Sequence, residues 1–85
     1  MTNIQKLVDV HRTALAMFRA AATGDDEGLD MLRAVQDPAD AELLSSALER
    51  VEAEASRAAR AVGMDAFYDA YSAAIDATEE QILGR

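Results

Sequence analysis

The chain has 85 residues, no cysteine and a formal net charge of −8 at pH 7. This length predicts a single domain, spanning residues 1–85, with a small core, and the absence of cysteine excludes disulfides and thiolate metal sites. The negative charge argues against direct binding to nucleic acid or to an anionic membrane, because phosphate groups would repel most of the surface.

The first helix is predicted at residues 3–22. Thr2 and Gln5 have the spacing of a capping box, apolar residues then recur at helical spacing, and Gly24 offers a left-handed stop. Charged residues interrupt the apolar ones throughout this segment. We therefore expect neither a signal peptide nor a membrane span, and we place the protein in the cytoplasm.

A second, shorter helix is predicted at residues 26–36. Asp25 is its expected N-cap, and its apolar face is narrow, consisting of Leu29, Leu32 and Val35. Gly28 lies in the first turn and lowers the helix propensity. This helix is therefore predicted to be the weakest of the four.

A third helix is predicted at residues 38–62, with Asp37 as its cap and Pro38 at its first position. Its inward positions recur at spacings of three and four, which is the pattern of a heptad seam. Leucine and valine fill the first half of the seam and alanine most of the second. The seam consists of Ala41, Leu44, Leu48, Val51, Ala55, Ala58 and Val62.

The fourth helix is predicted at residues 66–83, after Gly63 ends the third. The connection is so short that the third and fourth helices must be antiparallel, which sets Phe67 and Tyr71 against the alanine half of the seam. A leucine at Ala58 is therefore expected to overpack this region. The predicted inner face consists of Phe67, Tyr71, Ala74, Ile75, Thr78 and Ile82.

Together these elements predict an all-α fold, a small up-and-down bundle of three long helices and one short helix. The short helix cannot cover the long ones, so part of the first, third and fourth helices is expected to stay open. A second copy, a ligand or another protein could cover this gap, and dimerisation is the commonest solution. The expected dimer interface consists of Leu44, Leu48, Val51, Leu29 and Leu32.

His11 is the one histidine of the chain, and it lies on the apolar stripe of the first helix. No Glu precedes it by three residues, as a di-iron site would require. We expect a structural role for His11, with a ligand-binding or pH-sensitive role as the alternative. One histidine and dispersed carboxylates provide no set of acid, base and nucleophile, so we expect neither an enzyme nor a bound cofactor or metal.

Acidic residues recur along one face of the predicted fourth helix. A solvated surface is the default interpretation, and the alternative is a docking face for an Arg-rich partner. This candidate acidic face consists of Asp65, Asp69, Asp76 and Glu79.

The preferred functional hypothesis is a non-enzymatic protein–protein interaction module of regulatory or adaptor type, with a second copy or another protein as its partner. One alternative is an acidic inhibitor that mimics nucleic acid and blocks a basic nucleic-acid-binding protein. Another is a small-ligand or metal-binding helical module that uses the gap near His11.

Overall fold

A computed structural model describes residues 3–82, and within this range the protein is all-α, as predicted. A short 3₁₀ helix, Pro38–Asp40, forms what the sequence predicts as the first turn of the third helix. The second helix ends at Ala34 rather than at residue 36. The predicted end of the fourth helix, residue 83, lies outside the described residues. The four α-helices are α1 (Asn3–Ala22), α2 (Asp26–Ala34), α3 (Ala41–Ala61) and α4 (Met64–Ile82).

Two glycines stop helices where the sequence predicts it. Gly24 follows α1 with a φ of 76°, and Gly63 follows α3 with a φ of 86°. Both values lie in the left-handed region, which a residue with a Cβ atom adopts at a cost. The chain can therefore turn immediately after each helix.

Two aspartates cap helices as predicted. Asp25 accepts a hydrogen bond from the backbone N–H of Gly28 at 2.9 Å, and Asp37 accepts one from Ala39 at 2.9 Å. Each bond satisfies a backbone donor that the first turn leaves unpaired. The predicted capping box of α1 involves Thr2, which lies outside the described residues.

Two contacts define the helix directions. Lys6, near the start of α1, forms an ion pair of 3.2 Å with Asp40, next to the start of α3. Gln5, also near the start of α1, donates a hydrogen bond of 2.8 Å to Glu79, near the end of α4. Helices α1 and α3 are therefore parallel and α4 is antiparallel to both, which is the predicted up-and-down order.

Helix α1 is the central element, because α2, α3 and α4 each pack against it. Helices α3 and α4 pack against each other less extensively than either packs against α1. Val51 is completely buried, as the heptad seam predicts. The core consists of Val8, Val10, Ala14, Leu15, Ala47, Val51, Ala55, Phe67, Tyr68 and Ile75.

Helix α2 adds no buried residue to this core. Leu29 and Leu32 are half-buried, and Val35 is 76 % exposed although the sequence places it on the apolar face. The reason is that α2 ends before Val35. The short helix therefore covers one side of α1 and leaves the other helices open.

The inner face of α4 differs from the predicted one. Tyr68 is buried, whereas Ala74 and Thr78 are exposed. The Tyr68 ring packs edge-on against Phe18 of α1, with centroids 6.4 Å apart, and the guanidinium of Arg19 lies 4.9 Å from its centroid. Helix α4 is thus rotated toward α1, its main neighbour, rather than toward α3.

The molecule is flat, measuring 37 × 29 × 17 Å. Since one helix with its side chains is about 10 Å across, the short dimension holds at most two layers of helices. None of the helices within residues 3–82 contains an apolar stretch long enough to cross a lipid bilayer.

Candidate binding groove

An open groove of about 570 Å³ lies between α3 and α4, and the N-terminal half of α1 also lines it. The three helices that line it are those that the sequence predicts to remain partly open. Along α4 the groove extends from Ala66 to Ile82. At 1.5 Å per residue, this corresponds to a length of about 24 Å, or more than four helical turns.

The groove collects apolar side chains that a folded chain would normally bury. Ile4 and Leu7 of α1 are 55 % and 40 % exposed, and Val62 after α3 is 62 % exposed. All three line the groove, and they are half of the six large apolar side chains that the described residues expose. Half of the exposed large apolar side chains of the described residues therefore line one concave site.

Three of the eight α4 residues that line the groove are alanines. Ala66, Ala70 and Ala74 are exposed and lie four residues apart, so they stand one above another on the same face of the helix. Alanine has no side chain beyond Cβ, which allows another helix to approach closely. The four-residue spacing of these alanines is visible in the sequence. Exposed alanines in a helix are equally typical of a solvent-facing surface, so the spacing alone predicts no binding site.

The α3 wall carries the charged groups. Glu54 forms an ion pair of 2.9 Å with Arg57, and this hydrogen bond lowers the pKa of Glu54. Arg50 lines the groove and forms no ion pair with any of residues 4–82. Arg50 and Glu54 line the groove and Arg57 does not, so the wall carries one charge of each sign, and of the two only Arg50 lacks an ion pair within the described residues.

The groove is also lined by three further polar side chains, Tyr71, Thr78 and His11. Burial raises the pKa of the Tyr71 hydroxyl, while the nearby charge of Arg50 lowers it and that of Glu54 raises it further. His11 is half-buried, and its Nδ1 donates a hydrogen bond of 2.8 Å to the carbonyl oxygen of Leu7. This bond fixes the imidazole against its own helix, and its role beyond that stays a prediction.

The predicted dimer interface lies elsewhere and is largely covered within the monomer. Val51 is completely buried, Leu44 and Leu48 pack against the core, and Leu29 and Leu32 are half-buried. Val51 could contact a second chain only if the core opened. Dimerisation through this surface stays a prediction.

The predicted acidic face is divided by an internal ion-pair cluster. Arg12 of α1 donates to Asp76 and to Glu79, both at 2.7 Å. Asp65 and Asp69 are exposed and form no ion pair within the described part of the chain. Two of the four carboxylates therefore join α4 to α1. The sequence contains no signal for this cluster, because it depends on which face of α1 meets α4.

Residues 3–82 contain no group of three or more His, Asp or Glu side chains that could hold a metal ion. No protein-family model, curated protein or solved structure matches this chain.

Proposed function

We propose that this protein is a non-enzymatic interaction module of regulatory or adaptor type, which receives an amphipathic helix of another protein in the groove between α1, α3 and α4. The observation that carries the proposal is the groove itself, which is open, apolar, about 24 Å long and bordered by three helices. A helix placed there would complete a four-helix arrangement that α2 is too short to form.

Exposed apolar side chains along the groove support a missing partner. Ile4, Leu7 and Val62 are 55 %, 40 % and 62 % exposed there, and a helix seated in the groove would remove their surface from water.

A helix of a different protein fits this groove better than a second copy. In a symmetric dimer the same surface is present on both subunits, and two concave surfaces placed together would enclose an unfilled space. Outside the groove, the described residues expose three large apolar side chains, Met31, Val35 and Leu43, which are too few to fill a groove of this length. The proposed partner is therefore a helix of another protein, and homodimerisation through the groove would contradict the proposal.

The alternative of a nucleic-acid mimic has weaker support. Asp76 and Glu79, half of the candidate acidic face, are held by Arg12. The remaining negative charge would still attract basic partners over a distance and accelerate their association. A cytoplasmic location stays part of the proposal and is based on the cysteine-free composition.

The proposal is tested with a display library of 18-residue helical peptides selected against the purified protein. The matched variants are Ala70→Arg, which fills the groove, and Ala53→Arg, which makes the same change at an exposed position of α3 outside it. We expect enriched peptides with apolar residues at spacings of three and four. They should bind the wild type and Ala53→Arg equally and bind Ala70→Arg at least tenfold more weakly.

Two results would overturn the proposal. One is the absence of enriched helical peptides, or peptides that bind Ala70→Arg as well as the wild type. The other is a dimer in analytical ultracentrifugation that Ala70→Arg converts to a monomer, because a second copy would then be the occupant of the groove.

A further inference from the structure

We infer that the helix received by the groove carries an acidic residue beside its apolar stripe, which pairs with Arg50. This inference rests on the proposed function and specifies the chemistry of the partner. It depends on the charges along the α3 wall.

Arg50 is available for such a pair because its nearest acidic neighbour on the helix has another partner. Glu54 lies one turn after Arg50, but its carboxylate binds Arg57 at 2.9 Å. Arg50 forms no ion pair within the described part of the chain. Arg50 and Glu54 both line the groove and Arg57 does not, so the wall presents a guanidinium without an ion pair beside a carboxylate that Arg57 already binds.

The charge of Arg50 affects the binding free energy once a helix docks in the groove. A helix in the groove would displace water from around the guanidinium, and a charge that loses its water without gaining a partner weakens binding. A carboxylate at the same place restores the lost interactions with charge-assisted hydrogen bonds, and arginine can form two of them. A helix with a neutral or basic residue there is disfavoured for the same reason.

Tyr71 provides a second donor to the same region. It lines the groove from α4, and its hydroxyl forms no hydrogen bond with the described residues. It lies close enough to Arg50 for that charge to lower its pKa against the larger effect of burial. A carboxylate entering between α3 and α4 would therefore meet a guanidinium and a phenol, which both stabilise negative charge, beside the Glu54 carboxylate, whose own charge is offset by Arg57.

The acidic partner is a specific expectation for a chain with a net charge of −8. The total charge alone favours basic partners, whereas the groove wall favours a local carboxylate. A helix that is basic at its ends and acidic opposite Arg50 would satisfy both. A free aliphatic chain with a carboxylate head would match the same chemistry, but an open trough of this length, bordered by helices, fits a helix better.

The test uses the peptides selected against the wild-type protein, each made with Glu, Gln or Lys at the acidic position. The protein variants are Arg50→Gln, Arg50→Glu and the control Arg60→Glu, an exposed arginine of α3 that does not line the groove. We expect the change from Glu to Gln to weaken binding to the wild type and to Arg60→Glu about tenfold. It should have little effect on binding to Arg50→Gln, and Arg50→Glu should prefer the Lys peptide.

The outcomes separate this inference from the proposed function. If helical peptides bind in the groove but show no acidic preference, or if their preference does not change in Arg50→Glu, the inference is overturned and the proposed function stands. If no helical peptide binds, both are overturned. Binding of palmitate that depends on Arg50 and is lost in Ala70→Arg, without binding of any helical peptide, would assign the groove to a small ligand.

Discussion

Arg12 and Glu79 join the first and last helices through a hydrogen bond of 2.7 Å between side chains that are 67 residues apart. Gln5 donates a second hydrogen bond to the same carboxylate at 2.8 Å. None of these three side chains lines the groove, so the two bonds join α4 to α1 outside it. This polar contact therefore helps to hold together two of the three helices that border the groove.

This contact predicts a specific dependence of stability on pH. The hydrogen bonds from Arg12 and then Gln5 lower the pKa of Glu79 to about 2. In the unfolded chain the pKa of a glutamate is about 4.3. Because the folded value is the lower one, the contribution of Glu79 to stability is complete above about pH 4.3 and is lost as the pH falls toward about 2.

The measurement is the midpoint of thermal unfolding between pH 2 and pH 7 for the wild type and Glu79→Gln. We expect Glu79→Gln to be less stable than the wild type at neutral pH, with the difference decreasing as the pH falls below about 4. The control is Glu80→Gln, which changes an exposed neighbour that forms no ion pair within residues 4–82. A difference between Glu79→Gln and the wild type that stays constant over the whole range would contradict this assignment.

A second prediction compares the same substitution at a completely buried valine and at an exposed valine. Val51 is completely buried in the core and Val35 is 76 % exposed, so the same substitution probes opposite environments. We expect Val51→Ala to reduce the free energy of unfolding by about 2 kcal/mol, because it removes apolar contacts and leaves a cavity. Val35→Ala should change it by less than about 0.5 kcal/mol. Urea denaturation measures both, and equal effects would contradict the described packing.

Local chemistry made much of the fold predictable. The stops at Gly24 and Gly63, the cap formed by Asp25 and the burial of Val51 each depend on neighbouring residues or on helical periodicity. Each of these features is determined by residues a few positions apart in the chain, so it can be predicted from a single sequence.

The arrangement of the helices was not predictable in the same way. The apolar pattern of α4 allows either Tyr68 or Ala74 to turn inward, since these positions lie on opposite edges of one apolar face. Which edge is buried depends on the position of α1, and the contact between Arg12 and Glu79 is made only after both helices are in place. The groove was expected only as a gap, because the exposed alanines that line it on α4 carry no sequence signal beyond helix propensity.

A third prediction explains the glycine in the first turn of α2. A Cβ atom built on Gly28 would collide with the carboxylate of Asp25, the group that caps the helix. Replacing glycine by alanine within a helix normally stabilises it by about 1 kcal/mol, and losing an N-cap costs about the same. Gly28→Ala should therefore leave the stability nearly unchanged, because the new methyl group displaces the cap.

A double-mutant cycle tests this coupling. In the background of Asp25→Ala the carboxylate is absent, so Gly28→Ala should stabilise the protein by about 1 kcal/mol. The four proteins are compared by urea denaturation followed by circular dichroism. An equal effect of Gly28→Ala in both backgrounds would show that the two residues act independently and would contradict the described cap geometry.

The last prediction separates the core from the groove at two alanines of α3. Ala55 is 3 % exposed and belongs to the core, whereas Ala58 is half-buried and lines the groove. The sequence alone predicts overpacking at Ala58, but the structure gives a leucine there space in the groove.

We expect Ala55→Leu to destabilise the protein by about 1–3 kcal/mol, because its added atoms have no space. Ala58→Leu should change the free energy of unfolding by less than about 0.5 kcal/mol and should weaken the binding of helical peptides, because its side chain occupies part of their site. Urea denaturation and peptide titration of the two variants provide both readouts. A larger loss of stability in Ala58→Leu than in Ala55→Leu would mean that α3 and α4 are closed against each other there and that the groove does not extend to this point.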